Sequence, residues 1–305
     1  MTDREKLDKL YWRTNQKAQN IVFYSYKMSE HDHINEHEFK RLNHSIASLR
    51  EFNNEIPVYL FCDKPNLVPD HFKSEYSVFL RPFVQGFDHD MLSAWSIHRW
   101  YNLKSFQRRN CNILYMDSDT IFYDNVQYLF DTYCYYDGYG REEYGFRFDP
   151  NTGGGKNIRE QLDKVDIAIY DLGGKSAIYK YCCGVMLLNN NVHNYIIDSL
   201  GELTDLMNDF KRKEQFYPIP NPRIVDQYAI WTIFSRLEIM GGLFGCQDVT
   251  MGYKEQKHWD YFNPVVLHYT TKGEQKLAQS DEKYNDLIRN VDELAGDIDP
   301  YHEVL

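Results

Sequence analysis

The residues with the clearest chemistry are two carboxylates in NILYMDSDTIFYD, residues 112–124. Asn112–Met116 is a short apolar run of the kind that lies inside a sheet, and Asp117 and Asp119 follow it at once. Side chains two apart in extended backbone leave from one face. Two ionised carboxylates that close repel each other unless a cation or a proton neutralises them. Asp117 and Asp119 therefore predict a positive partner at the end of a buried strand.

The elements around them have to place that strand end. NIVFYSYKM (20–28) is an apolar, β-branched and aromatic run that reads as a first strand. Phe39, Leu42, Ile46, Leu49 and Phe52 recur at helical spacing. IPVYLFCD (56–63) and YSVFLR (76–81) read as further strands, and residues 88–107 as a helix leading into the strand that ends at Asp117. Alternating strand and helix predicts an α/β fold with a mostly parallel sheet covered by helices on both faces. Ligands of such sheets sit beyond the carboxyl ends of the strands, where Asp117 and Asp119 fall. Further on, CCGVMLLNN (182–190) reads as a buried strand, 192–213 and 224–237 as helices, and NPVVLHYTTKG (263–273) as a last strand and loop. With no repeat and no shift of composition, the chain reads as one domain over 20–275, preceded by a short helical extension (1–19) and followed by a helix and tail (276–305).

Composition narrows the classes. The 305 residues carry 34 Lys+Arg against 45 Asp+Glu, a net charge of −11, which argues against nonspecific nucleic-acid binding driven by phosphate neutralisation. The six cysteines are scattered, with none of the spacing of a disulfide framework, which predicts a reducing compartment. The N-terminal residues hold no apolar stretch of signal-peptide length, and no window reaches a membrane span, so the expectation is a soluble, cytoplasmic protein.

LYMDSDT, GVMLLNN, DQYAIW and VVLHYTTKG occur in that order. With them the chain resembles the GT-A-fold glycosyltransferases, most of all the retaining family of glycogenin and the bacterial lipopolysaccharide galactosyl- and glucosyltransferases. The resemblance runs from about residue 20 to about residue 275. It implies transfer of a hexose from a nucleotide-sugar, a UDP-glucose or UDP-galactose, to a hydroxyl on a glycan, a lipid-linked acceptor or a protein. It also implies a bound Mn2+ (or Mg2+) held by Asp117, Asp119 and His268, with Ser118 between the carboxylates at the donor. Hard carboxylate and phosphate oxygens suit such a cation, and Mn2+ also accepts an imidazole. By the same resemblance Tyr24, Ser25 and Asp63 lie toward the nucleoside, Arg99 and Lys272 toward the donor, and Asp226 and Gln227 beside the transferred sugar. Two motifs depart from the family: CCG (182–184) stands where an Asn precedes the apolar strand, and the late motif carries Thr271 and Glu274 in place of its glycine and lysine.

Plainer readings stand beside these. Arg99 and Asp226 also fit charged positions on a solvated helix face. His31, His33 and His37 read as a solvated loop, and TGGGKN lacks the outlying Gly and the following Ser or Thr of a phosphate loop. Trp95, Trp100 and Trp231 read as core. A haloacid-dehalogenase-type phosphatase also sets two aspartates two apart after a strand, but it needs a residue between the second Asp and the Thr, which Asp119-Thr120 lacks. A domain of this fold that binds nucleotide-sugar or glycan without transferring it is the other alternative.

Overall fold

The computed structural model describes residues 18–28, 36–84, 94–142, 169–174, 181–213, 225–239, 241–245, 247–251 and 264–268. The expected terminal helices, Lys272, Thr271, Glu274, His31, His33 and TGGGKN lie outside them, as do the side chains of His37 and Trp95. The fold is α/β, with a mostly parallel seven-stranded sheet, a second sheet of three strands, and helices. The chain divides into two compact units. One gathers Asn20–Phe83, Ile113–Cys134 and the stretch from Phe244; the other has Val84–Asn112 and Tyr135–Leu243 as its body.

In the first unit, strands β1 (Gln19–Tyr26), β2 (Val58–Cys62), β3 (Val78–Pro82) and β4 (Cys111–Met116) run in the order β3-β2-β1-β4. The β1–β2 and β2–β3 pairs are parallel. Four consecutive residues of β1, Ile21–Tyr24, are buried, as are Ile113–Met116 of β4. Continuous burial of this kind is what parallel strands covered on both faces require. Phe23 packs its ring on Phe61 and on Tyr115, each at 5.4 Å between centroids. The helix Glu36–Phe52 buries Leu42, Ile46 and Leu49. Near its end Arg50 is buried, with its guanidinium donating to the carbonyls of Tyr76, Asn53 and Ile56. A buried cation is tolerable when its donors are met in this way. The three-stranded sheet, β5 (Thr120–Phe122), β9 (Val249–Met251) and β10 (Val266–His268), has β10 in the middle, antiparallel to β5 and parallel to β9.

The second unit is built on β7 (Tyr181–Leu188), buried along its whole length. It pairs antiparallel with β6 (Gly138–Glu142), which in turn runs parallel to β8 (Gly241–Leu243). The β6–β7 register shifts between Gly140 and Arg141. A Cβ at Gly140 would come within 2.8 Å of the Tyr181 side chain, so this close approach needs glycine. Periodicity predicts one helix over 192–213. The structure has two, Val192–Asp198 and Leu200–Lys213, with Ser199 between them out of helical geometry (φ −96°, ψ 7°) and its hydroxyl donating to the Tyr195 carbonyl. Trp100 and Trp231 are core residues, as expected, and the Trp231 indole donates to the Tyr181 carbonyl. Among the described residues no helix is long and apolar enough to cross a membrane. The five cysteines described are free, and burial pushes the thiols of Cys62 and Cys111 up to about 12, which leaves both inert.

His193 in the second unit gives the fold an acid sensitivity. It is fully buried, with Nε2 3.1 Å from the Phe106 carbonyl, and burial pushes its pKa from 6.5 down to about 4 against that hydrogen bond. The folded state thus prefers neutral imidazole, so the contribution is whole above pH 6.5 and is lost as the pH falls toward about 4. The expected loss between neutrality and about pH 4 is about 3 kcal/mol. Urea denaturation at the two pH values checks it. A His193→Gln variant should show a flatter pH dependence than the wild type, and an equal slope would assign the acid sensitivity elsewhere.

Candidate metal centre and buried ion pair

The first unit assembles a cluster at the end of β4. Asp117 and Asp119 lie in the turn between β4 and β5, and His268 is the last residue of β10. The antiparallel register sets His268 opposite Thr120, the residue after Asp119, so a backbone ladder brings the imidazole to the carboxylates. His268 Nε2 is 3.2 Å from Asp119 Oδ1 and 4.0 Å from Asp117 Oδ2. Ligand atoms of all three residues fall within 4.8 Å of one another. The imidazole is 4 % exposed, while both carboxylates are half-buried.

These residues fit the divalent cation that the family resemblance implies. Among the described residues, Asp119 Oδ1 is a buried carboxylate oxygen without a hydrogen-bond donor, with His268 Nε2 3.2 Å away. An unmatched buried acceptor of this kind costs on the order of 1–3 kcal/mol, more for a charged group, and a cation supplies what it lacks. Two carboxylates and one imidazole are also the mixed hard set that Mn2+ accepts.

Neighbouring groups orient this set. Tyr115, two residues before Asp117 on the same strand face, donates its hydroxyl to Asp117 Oδ1 at 2.5 Å. Thr120 Oγ1 donates to the Asp117 carbonyl at 2.9 Å and closes the turn. At the far side, the Asp248 carbonyl accepts from the amides of Val265 and Val266, just where β10 begins. The Tyr133 hydroxyl donates to the Asp248 carboxylate and accepts from the Gly245 amide. Burial and the Asp248 carboxylate push the Tyr133 phenol up, which keeps it a donor. None of Tyr115, Thr120, Tyr133 and Asp248 stands out in the sequence. Only the period-two spacing of Tyr115 and Asp117 hinted at a contact.

Of the other residues in this unit, Ser118 is half-buried between the two ligands. Asp63 accepts from the Met28 amide at 2.9 Å, which ties the end of β2 to the end of β1. Ser25 is half-buried on β1. Tyr24 is only 1 % exposed, and its hydroxyl is bonded to Ser45 Oγ at 2.8 Å, so it faces the protein interior.

The second unit holds a separate polar cluster. Arg99, in the last turn of the helix Ala94–Asn102, is 6 % exposed, and Asp226, in the first turn of the helix Val225–Arg236, is 1 % exposed. The solvated helix-face reading of both is therefore wrong. Arg99 Nε is 3.4 Å from Asp226 Oδ2, Arg99 Nη1 donates to the Cys183 carbonyl at 3.0 Å, and the Trp100 indole donates to Asp226 Oδ2 at 3.2 Å. The Cys183 amide donates to Gln227 at 2.7 Å. A backbone amide can only donate, so the Gln227 atom facing it is Oε1, and the side-chain orientation is fixed. The amide and carbonyl of Cys183, the middle residue of the CCG segment, are thus both held.

No family model matches the chain, and no curated protein matches it in sequence. Solved structures do match its fold. The galactosyltransferase LgtC, solved in complex with donor and acceptor sugar analogs, superposes with a TM-score of 0.56 at 14% identity, over 93% of this chain and 98% of that one. The bifunctional glycosyltransferase WbbM superposes at 0.54 with 11% identity, over 91% of this chain and 50% of that one. The glycosyltransferase GlyE of Streptococcus pneumoniae TIGR4 superposes at 0.54 with 13% identity, over 90% of this chain and 61% of that one. The chain thus spans half to three fifths of WbbM and GlyE and nearly all of LgtC. The fold is a GT-A-like glycosyltransferase fold.

Proposed function

We propose that the protein is a divalent-cation-dependent glycosyltransferase that moves a hexose from a UDP-sugar to a hydroxyl acceptor with retention of configuration. One observation carries this reading: two carboxylates and an imidazole converge at the carboxyl end of β4, with a buried carboxylate oxygen that has no donor among the described residues. The fold shared with LgtC and GlyE, which are glycosyltransferases, supports it.

In this reading Asp117, Asp119 and His268 hold Mn2+ or Mg2+, and Ser118 sits against the donor. The chemistry a bound cation supplies is stabilisation of the charge on the departing nucleoside diphosphate, worth several kcal/mol. The reacting sugar is oxocarbenium-like, so the departing group is the main demand on the site. Ser25 and Asp63, near the ends of β1 and β2, are assigned to the nucleoside, with Tyr24 supporting the strand from inside. Arg99 and Lys272 are assigned to the donor by resemblance, and Asp226 and Gln227 to the transferred sugar. That LgtC has been solved as an active-site glutamine-to-glutamate mutant is in keeping with a glutamine in such a role.

The test is release of UDP from a panel of UDP-hexoses by the purified protein without acceptor, with and without Mn2+, since a transferase site leaks to water. Metal-dependent release that chelation abolishes is the expected result. His268→Ala should raise the Mn2+ needed for half-maximal release on the order of 10-fold. Metal-dependent binding of the donor with no release at all would favour a binding domain without transfer.

A further inference from the structure

We propose that Ser45, Ser48 and Thr120 are positioning residues that set the turn carrying Asp117 and Asp119, and through it the affinity for the cation. The proposal rests on the cation reading above. Ser45 and Ser48 are fully buried on the helix Glu36–Phe52, among the core residues Leu42, Ile46 and Leu49. Serine lowers helix propensity, and a buried hydroxyl is costly without partners, so this pair calls for a reason. Three apart, they lie on one helix face, and both reach β5. Ser45 Oγ is 2.7 Å from Thr120 Oγ1. Ser48 Oγ accepts from the Phe122 amide at 3.1 Å and donates to the Ser45 carbonyl at 2.9 Å.

β5 needs this grip. It is three residues long, and its ladder to β10 is only the three pairs Thr120–His268, Ile121–Leu267 and Phe122–Val266. All three cation ligands depend on it: Asp117 and Asp119 lead into it, and His268 pairs with its first residue. Fixing Thr120 therefore fixes the separation of the carboxylates from the imidazole.

The hydroxyl protons in this network can point only one way. Thr120 donates to the Asp117 carbonyl, so it must accept from Ser45. Ser45 has then used its proton and must accept from Tyr24, whose phenol burial pushes up and keeps protonated. The result is a directed chain, Tyr24 to Ser45 to Thr120 to the Asp117 carbonyl, that tolerates no alternative arrangement of donors. Such a chain holds a turn more firmly than the same hydroxyls would in water.

The experiment measures Mn2+ affinity by paramagnetic resonance of the free ion, without nucleotide-sugar, alongside urea denaturation. Thr120→Val keeps the β-branched shape and removes the hydroxyl; it should weaken Mn2+ binding about 10-fold or more, the usual effect of losing a group that orients a ligand. Ser45→Ala, which breaks the chain in the middle, should do the same, and Thr120→Ser should stay close to the wild type. Leu42→Ala, on the same helix, should lose stability and keep its Mn2+ affinity. Wild-type affinity in Thr120→Val and Ser45→Ala, or equal weakening in Leu42→Ala, would overturn the inference and leave the cation site standing. A wild-type protein that takes up no Mn2+ would remove the cation site and this inference together.

Discussion

Replacing Asp117 or Asp119 with Asn should lower metal-dependent UDP release about 1000-fold or more, because several kcal/mol of charge stabilisation are lost with the ligand. The same variants should be no less stable than the wild type in the absence of metal. Without a cation the two carboxylates repel each other, and Asp119 Oδ1, 3.2 Å from His268 Nε2, has no hydrogen-bond donor among the described residues, so removing a charge relieves the folded state. An Asn at 117 can still accept from the Tyr115 hydroxyl, which spares that hydrogen bond. The stabilisation that Mn2+ confers on the wild type should vanish, since a ligand raises apparent stability only where it binds the folded state. Thermal unfolding with and without Mn2+ reads both effects. A Mn2+ shift that survives in both Asn variants would move the metal elsewhere and leave the cluster as a solvated turn.

Arg99→Ala should destabilise the protein by about 3–5 kcal/mol, the usual result of removing one member of a buried ion pair. Asp226 would keep its bond from the Trp100 indole but would lose the guanidinium beside its buried carboxylate. The double variant Arg99→Met with Asp226→Leu should recover part of that loss, because no buried charge is left unpaired while the bonds to the Trp100 indole and the Cys183 carbonyl are given up. Urea denaturation of the two single variants and the double variant gives the interaction directly. Additive losses would mean that the two side chains are not coupled, despite the 3.4 Å between them. Loss of function in Arg99→Ala would not by itself assign Arg99 to the donor, since the cluster also positions Gln227 through Cys183.

The long strands were readable because burial leaves a local mark. β1, β2, β4 and β7 are apolar runs with clear ends, and the sequence-based strands at 20–28, 56–63, 112–116 and 182–190 overlap them. β5, β6, β8 and β9 were not. β6 and β8 begin with glycine, and β5 and β9, though made of β-formers, are three residues long, too short for a pattern to show until a neighbour pairs with them. The break at Ser199 was hidden for a similar reason, because the apolar period continues through it and a single residue leaves helical geometry.

By itself, the order of the residues settled that a buried strand ends in paired carboxylates within an α/β alternation, since both features follow from spacing along the chain. Spacing cannot say which distant groups meet. That Arg99 is sealed against Asp226 rather than solvated, that His268 stands opposite Thr120, and that Tyr24 turns inward to Ser45 are products of strand register and helix packing. Each depends on contacts between segments far apart in the chain, where one residue of slip would turn a side chain to the opposite face.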